Sequence, residues 1–191
     1  MNSWPSVPVA LFAALTLVSC AARPVEPSTD STFLSLTSDA GDNIGLGQPA
    51  VYRYADGYWQ VQIDSAHHVL YVAAHGPNYA WSWDLYLAAP TGRALTSGTY
   101  EGATRWPFEA PGDPGLAFTD EDRGCNTLTG RFVVDSLLVV SDTVVRYLHA
   151  TFEQHCEGVT PALHGEVSVV ANPWRANRPT PTTSVRRWLP N

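Results

Sequence analysis

The sequence predicts an all-β domain, and three observations carry that prediction. Apolar side chains recur with a period of two along much of the chain. No segment after Cys20 shows the 3.6-residue period of an amphipathic helix. Clusters of Gly, Pro and Asp cut the chain into about ten short runs. That rhythm is the signature of an antiparallel two-sheet sandwich, with a barrel as the alternative.

The runs justify themselves in order. Residues 33–37 and 50–54 are the first two candidate strands. In the third, Tyr58 to Asp64, Trp59, Val61 and Ile63 share one face, while Gln60, Gln62 and Asp64 share the other. Ala55-Asp56-Gly57 separates these two runs and reads as a hairpin turn. Val69 to Ala74 is apolar on both faces, which predicts a central strand. Trp81, Trp83, Leu85 and Leu87 alternate with Ser82, Asp84 and Tyr86, so the tryptophans belong to the core and Tyr86 to the outer face.

Further strands are expected at 98–103, 115–119 and 128–140. Between the first two, Arg105 to Gly115 is too rich in Pro and Gly for regular structure. It predicts an ordered loop in which Trp106 and Phe108 are buried. The last two strands, 144–153 and 162–170, alternate cleanly. Leu148, Ala150 and Phe152 oppose Tyr147, His149, Thr151 and Glu153; Leu163, Gly165, Val167 and Val169 oppose His164, Glu166 and Ser168. A turn centred near Glu157-Gly158 would set His149 opposite Glu166 and Thr151 opposite His164.

The chain ends predict a location. Residues 1–19 contain no charged side chain, and Val9 to Val18 is apolar apart from one Thr. That run is too short for a spanning helix but fits the apolar part of a signal peptide, although the first eight residues lack a Lys or Arg. It ends in Leu17-Val18-Ser19-Cys20, which resembles the bacterial lipoprotein box. The resemblance implies that residues 1–19 are removed and that Cys20 carries the lipid. Ala21 stands where an Asp would resemble an inner-membrane retention signal, which points to the outer membrane. Residues 20–31 then form a tether, 32–171 the folded domain, and 172–191 a tail without the apolar content to fold.

Charge excludes one class of partner. The chain has no lysine and eleven arginines, four of them at 175, 178, 186 and 187. Removing those four from the net −7 leaves −11 for residues 1–174, and an acidic body repels nucleic acid. The basic tail is able to touch anionic lipid.

With Cys20 reserved for lipid, Cys125 and Cys156 remain, and an even pair in an exported protein reads as a disulfide. Closing that loop stabilises by roughly 3.5 kcal/mol in the chain-entropy treatment. The alternative, a reactive thiol, needs a reducing compartment and a nearby base.

Four passages then come together: Gly41 to Gln48, Gly98 to Phe108 (GTYEGATRWPF), Arg123 to Phe132 (RGCNTLTGRF), and Phe152 to Gly158 (FEQHCEG) followed by Pro161-Ala162-Leu163. The set resembles an uncharacterised bacterial exported module of lipoproteins and surface proteins. The resemblance implies a β-rich fold with the two cysteines paired, and it implies no activity.

Candidate sites follow from side-chain chemistry. His149, His164, Glu153 and Glu166 on the last hairpin form a set able to bind Zn²⁺ or to exchange protons, set against an ordinary solvated face. His155 and Glu157 flank Cys156, either as a redox or metal site or as decoration of a turn. Asp113, Asp120, Glu121 and Asp122, and separately Asp39, Asp42 and Asn43, offer oxygen ligands to calcium, yet neither stretch fits a calcium loop and the same residues make turns unaided. Among the aromatics Tyr79, Trp81, Trp83, Tyr86, Tyr100, Trp106 and Phe108, the platform candidates for a sugar are Tyr86, Trp106 and Tyr100.

No nucleophile motif and no phosphate-cradling loop is present. The expectation is a lipid-anchored cell-envelope protein that binds a ligand or partner, or serves a surface complex as an accessory, without enzymatic activity. A glycan-binding module and a metal-dependent hydrolase are the alternatives.

Overall fold

The computed structural model describes residues 31–171. The expected signal peptide, Cys20, almost all of the expected tether and the expected tail lie outside the described residues. Ten strands follow one another: β1 (Phe33–Ser38), β2 (Ala50–Arg53), β3 (Tyr58–Ile63), β4 (Val69–His75), β5 (Ser82–Ala88), β6 (Gly98–Arg105), β7 (Gly115–Asp120), β8 (Leu128–Ser141), β9 (Val144–Cys156) and β10 (Leu163–Val170). Each expected run forms a strand within two or three residues of its expected ends. Two single 3₁₀ turns, Tyr54–Asp56 and Pro77–Tyr79, interrupt the strands, and no α-helix occurs among the described residues.

The expected two-sheet sandwich is not confirmed. All ten strands join one mixed sheet in the order β2-β1-β10-β9-β8-β6-β7-β5-β4-β3, curled into an open half-barrel. Alternation along a strand specifies which side chains point inward. It does not say whether the opposing wall is a second sheet or the same sheet bent round, so the pattern fits both.

Curvature comes from the long β8–β9 hairpin, whose register slips between Val134 and Ser136, Leu138 and Val139, and Val139 and Ser141. A further slip separates Tyr100 and Ala103 on β6. Such bulges bend strands and increase twist.

The Ala55-Asp56-Gly57 turn is not a hairpin. β2 pairs with β1, and β3 pairs with β4. These are the two edges of the sheet, and the turn carries the chain from one edge to the other. Asp56 holds the corner by accepting a 2.7 Å bond from the Arg53 N–H. Gly57 is required by close approach, because a Cβ there would lie 2.2 Å from the His75 carbonyl oxygen. β4 is interior as expected, but it lies next to the β3 edge rather than at the centre.

Inward-facing side chains fill the half-barrel. Leu34, Leu70, Leu85, Leu87, Leu116, Phe132, Leu148 and Leu163 are fully buried. A chain of rings runs through them: Tyr52 on Trp81 at 4.7 Å, Trp59 edge-on to Trp83 at 5.1 Å, Trp83 on Phe118 at 5.9 Å, and Phe118 on Phe152 at 5.4 Å. Phe152 takes the space over Gly165, where a Cβ would sit 2.1 Å from the ring.

The seam between β6 and β7 is the one parallel junction, and only Thr104↔Gly115 and Arg105↔Leu116 are paired across it. β6 then leaves, and the exposed edge of β7 takes three different partners. The Trp106 N–H donates to the Leu116 carbonyl, and the Asp120 N–H donates to the Arg123 carbonyl. Between them Gln154, fully buried on β9, accepts from the Phe118 N–H at 2.8 Å and donates to the Phe118 carbonyl at 2.9 Å. A side-chain amide thus stands in for a strand. The Cys125–Cys156 disulfide closes the same end, and Gln154 Nε2 lies 3.4 Å from Cys125 Sγ.

Replacing Gln154 by Leu keeps the volume and strands two buried backbone groups. Gln154→Leu is expected to lower the unfolding free energy by about 2–5 kcal/mol in urea titrations. A loss below about 0.5 kcal/mol would show that β7 is held elsewhere.

Candidate functional site

The filled interior directs attention to the outer face. On β3, β4 and β5 the outward positions are fixed by register: Tyr58↔His75↔Ser82, Gln60↔Ala73↔Asp84, and Gln62↔Tyr71↔Tyr86. Aromatic groups stand at both ends of this strip. At one end Tyr58 stacks on His75 at 5.2 Å, and Tyr79 stacks on the same imidazole at 4.1 Å and 14°. At the other, Tyr86 lies between Tyr71 at 4.8 Å and Trp106 at 4.0 Å and 11°. Between the ends lie the exposed amides of Gln60 and Gln62, the small Ala73 and the Asp84 carboxylate. The strip is about 13 Å long from Tyr71 to His75, four residues apart on β4.

Asp84 orders one end of it. It accepts a 2.5 Å bond from the Tyr71 hydroxyl. Burial, followed by this bond, pushes the Tyr71 phenol well above its ordinary value. Burial and then the Asp84 charge raise Tyr86 as well. Both hydroxyls therefore remain donors.

Of the three platform residues expected from the sequence, Tyr86 and Trp106 come together and Tyr100 does not. Tyr100 stacks on the core ring of Phe132 at 4.5 Å, and its hydroxyl donates to the Thr96 carbonyl and accepts from the Thr96 N–H, both at 2.9 Å. Phe108 is also misplaced by the sequence reading. It is 72% exposed, with the Arg105 guanidinium 4.8 Å above its ring, because the loop turns outward after Trp106 has packed on Tyr86.

Tyr58, Tyr71 and His75 were missed. Period two places them outward, but their stacking needs the register. Tyr79 reaches His75 only because Asn78 and Tyr79 take φ values of 54° and 55°, a left-handed conformation rare for an aromatic residue.

The second outer feature is a shallow groove of about 310 Å³ across β1, β10, β9 and β8, lined by Ser35, Thr37, Thr151, Arg131, His164 and Glu166 among others. The register here differs from the expected one: Glu166 faces Thr151, His164 faces Glu153, and His149 faces Ser168. The turn lies one residue further along, with Glu157 and Gly158 both at positive φ, so the pairing slides by two and every side chain keeps its face.

His149 still reaches Glu166, diagonally, at 3.0 Å, and its other nitrogen lies 3.0 Å from Asp135. Glu153 takes His155 at 3.1 Å and His164 at 3.8 Å. The four residues singled out for zinc or acid–base work thus divide into two pairs on either side of Thr151. Among the described residues no three His, Cys, Asp or Glu side chains gather to hold a metal ion.

The acidic loops use their carboxylates as turn devices. Asp42 accepts from Gly45 N–H at 2.7 Å and Ser38 Oγ at 2.8 Å, and Asp39 accepts from Ala162 N–H at 3.0 Å. Asp120 accepts from Asp122 and Arg123 N–H and pairs with the Arg123 guanidinium.

Comparison with family models, with curated proteins and with solved structures returns no significant match. The resemblance carried by the four sequence passages gains nothing from them.

His155 and Glu157, beside Cys156, clamp the β9–β10 turn. His155 bonds the Thr160 carbonyl at 2.8 Å, and Glu157 accepts from Asn126 N–H at 2.5 Å. The Glu153 bond is the main cause holding His155 above 6.5, against an opposing effect of burial. The Asn126 N–H is the main cause holding Glu157 below 4.5. The Glu157 contribution is complete above 4.5 and is lost as pH falls through its lowered value. The His155 contribution is complete below 6.5 and is lost as pH rises through its raised value. Amide exchange at residues 157–160, corrected for intrinsic rates, is expected to be slowest between pH 4.5 and 6.5. Protection that climbs steadily above that window would contradict the clamp.

Proposed function

We propose that this chain is a lipid-anchored cell-envelope module that binds a glycan on the outer face of β3–β4–β5 and performs no chemistry on it. One observation carries the reading: two aromatic stacks, Tyr58–His75–Tyr79 and Tyr71–Tyr86–Trp106, bracket a strip of unpaired amides and a carboxylate. Flat rings pack against the apolar faces of sugars, and amide and carboxylate groups bond their hydroxyls. The small side chain of Ala73 between them leaves room for an oligosaccharide to lie along the strand.

The lipid anchor rests on the Leu17-Val18-Ser19-Cys20 box and the uncharged leader before it. The outer membrane is favoured by Ala21 after the lipid-bearing Cys. The reading without catalysis is supported by the lack of a nucleophile motif in the sequence and by the groove, where His149, His155 and His164 each already face a carboxylate.

Titration with peptidoglycan fragments, followed by tryptophan fluorescence, tests the site. Trp106→Ala is expected to weaken binding about tenfold, or about 1.4 kcal/mol. Tyr100→Phe, which alters a residue packed on the core, is expected to bind as the parent does. Equal affinity of the Trp106→Ala and parent proteins would remove the site.

The anchor is tested separately. The chain recovered from membranes is expected to carry an acyl-modified N-terminal Cys20 by mass spectrometry, and Cys20→Ala is expected to leave the membrane fraction.

A further inference from the structure

The tip of the β8–β9 hairpin carries an apolar shoulder that the fold does not cover. Leu138 and Val140 are each 52% exposed and Val144 is 41% exposed. Leu138 pairs with Tyr147, which is half-buried beside the buried Leu148, so the tyrosine flanks the same shoulder. The turn itself is not free. Thr143 accepts a 3.4 Å bond from the Ile63 N–H, and the Asp142 carbonyl lies 3.0 Å from His67 Nε2. The tip is thereby tied to the end of β3, at the far edge of the sheet.

Both ends of the described chain emerge at the base of this shoulder. Thr32 Oγ1 accepts from the Val170 N–H at 2.9 Å, and the Ala171 N–H donates to the Arg146 carbonyl at 3.0 Å. Val170 pairs with Tyr147. The hairpin continues three residues beyond that level to Val144, roughly 10 Å of strand. From Thr32 the chain leads back to Cys20 through residues 21–31, a stretch that reaches at most about 40 Å when extended. From Ala171 it leads on into the segment bearing Arg175, Arg178, Arg186 and Arg187.

We propose that the shoulder formed by Leu138, Val140, Val144 and Tyr147 rests on the surface of the bilayer that holds the acyl chain of Cys20. The inference rests on the lipid-anchor reading. The short tether holds this end of the domain near the lipid. Aliphatic side chains with a flanking tyrosine suit the headgroup boundary. The four arginines leave from the same end and add attraction to anionic headgroups.

The test uses the full acylated chain in vesicles of phosphatidylethanolamine and phosphatidylglycerol. A fluorophore on Val140→Cys is compared with one on Val159→Cys, an exposed apolar position in the turn at the opposite end of β9. With nitroxide-labelled lipid in the vesicles, the label at 140 is expected to lose most of its emission and the label at 159 to keep it. Amide exchange of the unsubstituted chain gives a second readout. Residues 138–145 are expected to slow on vesicles relative to the chain in detergent, and Val140→Asp is expected to abolish the slowing.

A chain that floats with the vesicles but shows equal quenching at both labels and no slowing overturns the docking and leaves the anchor standing. A chain that mass spectrometry finds without an acyl group overturns both.

Discussion

Four of the ten strands of this sheet are joined to the other six through a seam two residue pairs wide. On one side stand β6, β8, β9, β10, β1 and β2; on the other stand β7, β5, β4 and β3, which carry the aromatic strip. Parallel pairing over two residues cannot hold such a wing by its hydrogen bonds alone. Gln154 supplies the missing partner for Phe118, and its position in a dry core makes that supply stringent. The ring chain from Trp83 through Phe118 to Phe152 crosses the seam on the inner side, joining β5 and β7 to β9 by packing where the ladder has ended.

The same filling of the interior decides where function can be. A barrel that binds inside needs a cavity between its walls. Here large rings and leucines occupy that space, and the proposed binding strip lies on the outer surface. Two surfaces of different character result. The β3–β4–β5 strip is aromatic, amide-bearing and open. The β1–β10–β9–β8 groove is a set of imidazole–carboxylate pairs, each side chain already engaged by its neighbour. The first is suited to an incoming ligand. The second stiffens the face through cross-strand pairing of opposite charges.

Much of the fold was legible because alternation is a local property. Trp59, Val61 and Ile63 announce an inward face without reference to any other strand, and so do Leu148, Ala150 and Phe152. What alternation omits is the partner. The 54–57 turn looks like a hairpin in sequence, yet it joins the two sheet edges, because the choice between β1, β4 and each other as partners for β2 and β3 is set by packing far along the chain. Parity survived where register did not: the last hairpin slid by two residues, and His149 kept both its face and its contact with Glu166.

The site was legible in the same measure. Of the three expected platform residues, Tyr86 stacks on Trp106 while Tyr100 packs on Phe132, and neither partner is visible in the alternation of the sequence. Gln154 left a single sequence signal. It sits at an inward position of β9, between Phe152 and Cys156, where a reader expects an apolar residue. A polar residue that breaks an inward row is the one local cue to a backbone edge in need of a partner.

β9 shows how these demands coexist in one strand. Its even positions, from Leu148 to Cys156, build the core, the Gln154 bridge and the disulfide. Its odd positions, from Tyr147 to His155, build the outward charge network and the edge of the proposed lipid-facing shoulder. Because successive side chains point to opposite sides, the two rows respond to selection almost independently. The outer row is free to change its recognition chemistry without disturbing the packing that holds the seam. Gly165 marks the limit of that freedom: Phe152 needs the space above it, and there an inward demand fixes the identity of a residue on the neighbouring strand. The proposed binding strip is under the same limit at its far end, where Gly57 and Gly76 give way to the His75 backbone and the Trp81 ring. The position of that aromatic end is therefore set by close packing of backbone, and its side chains alone are left to define the ligand.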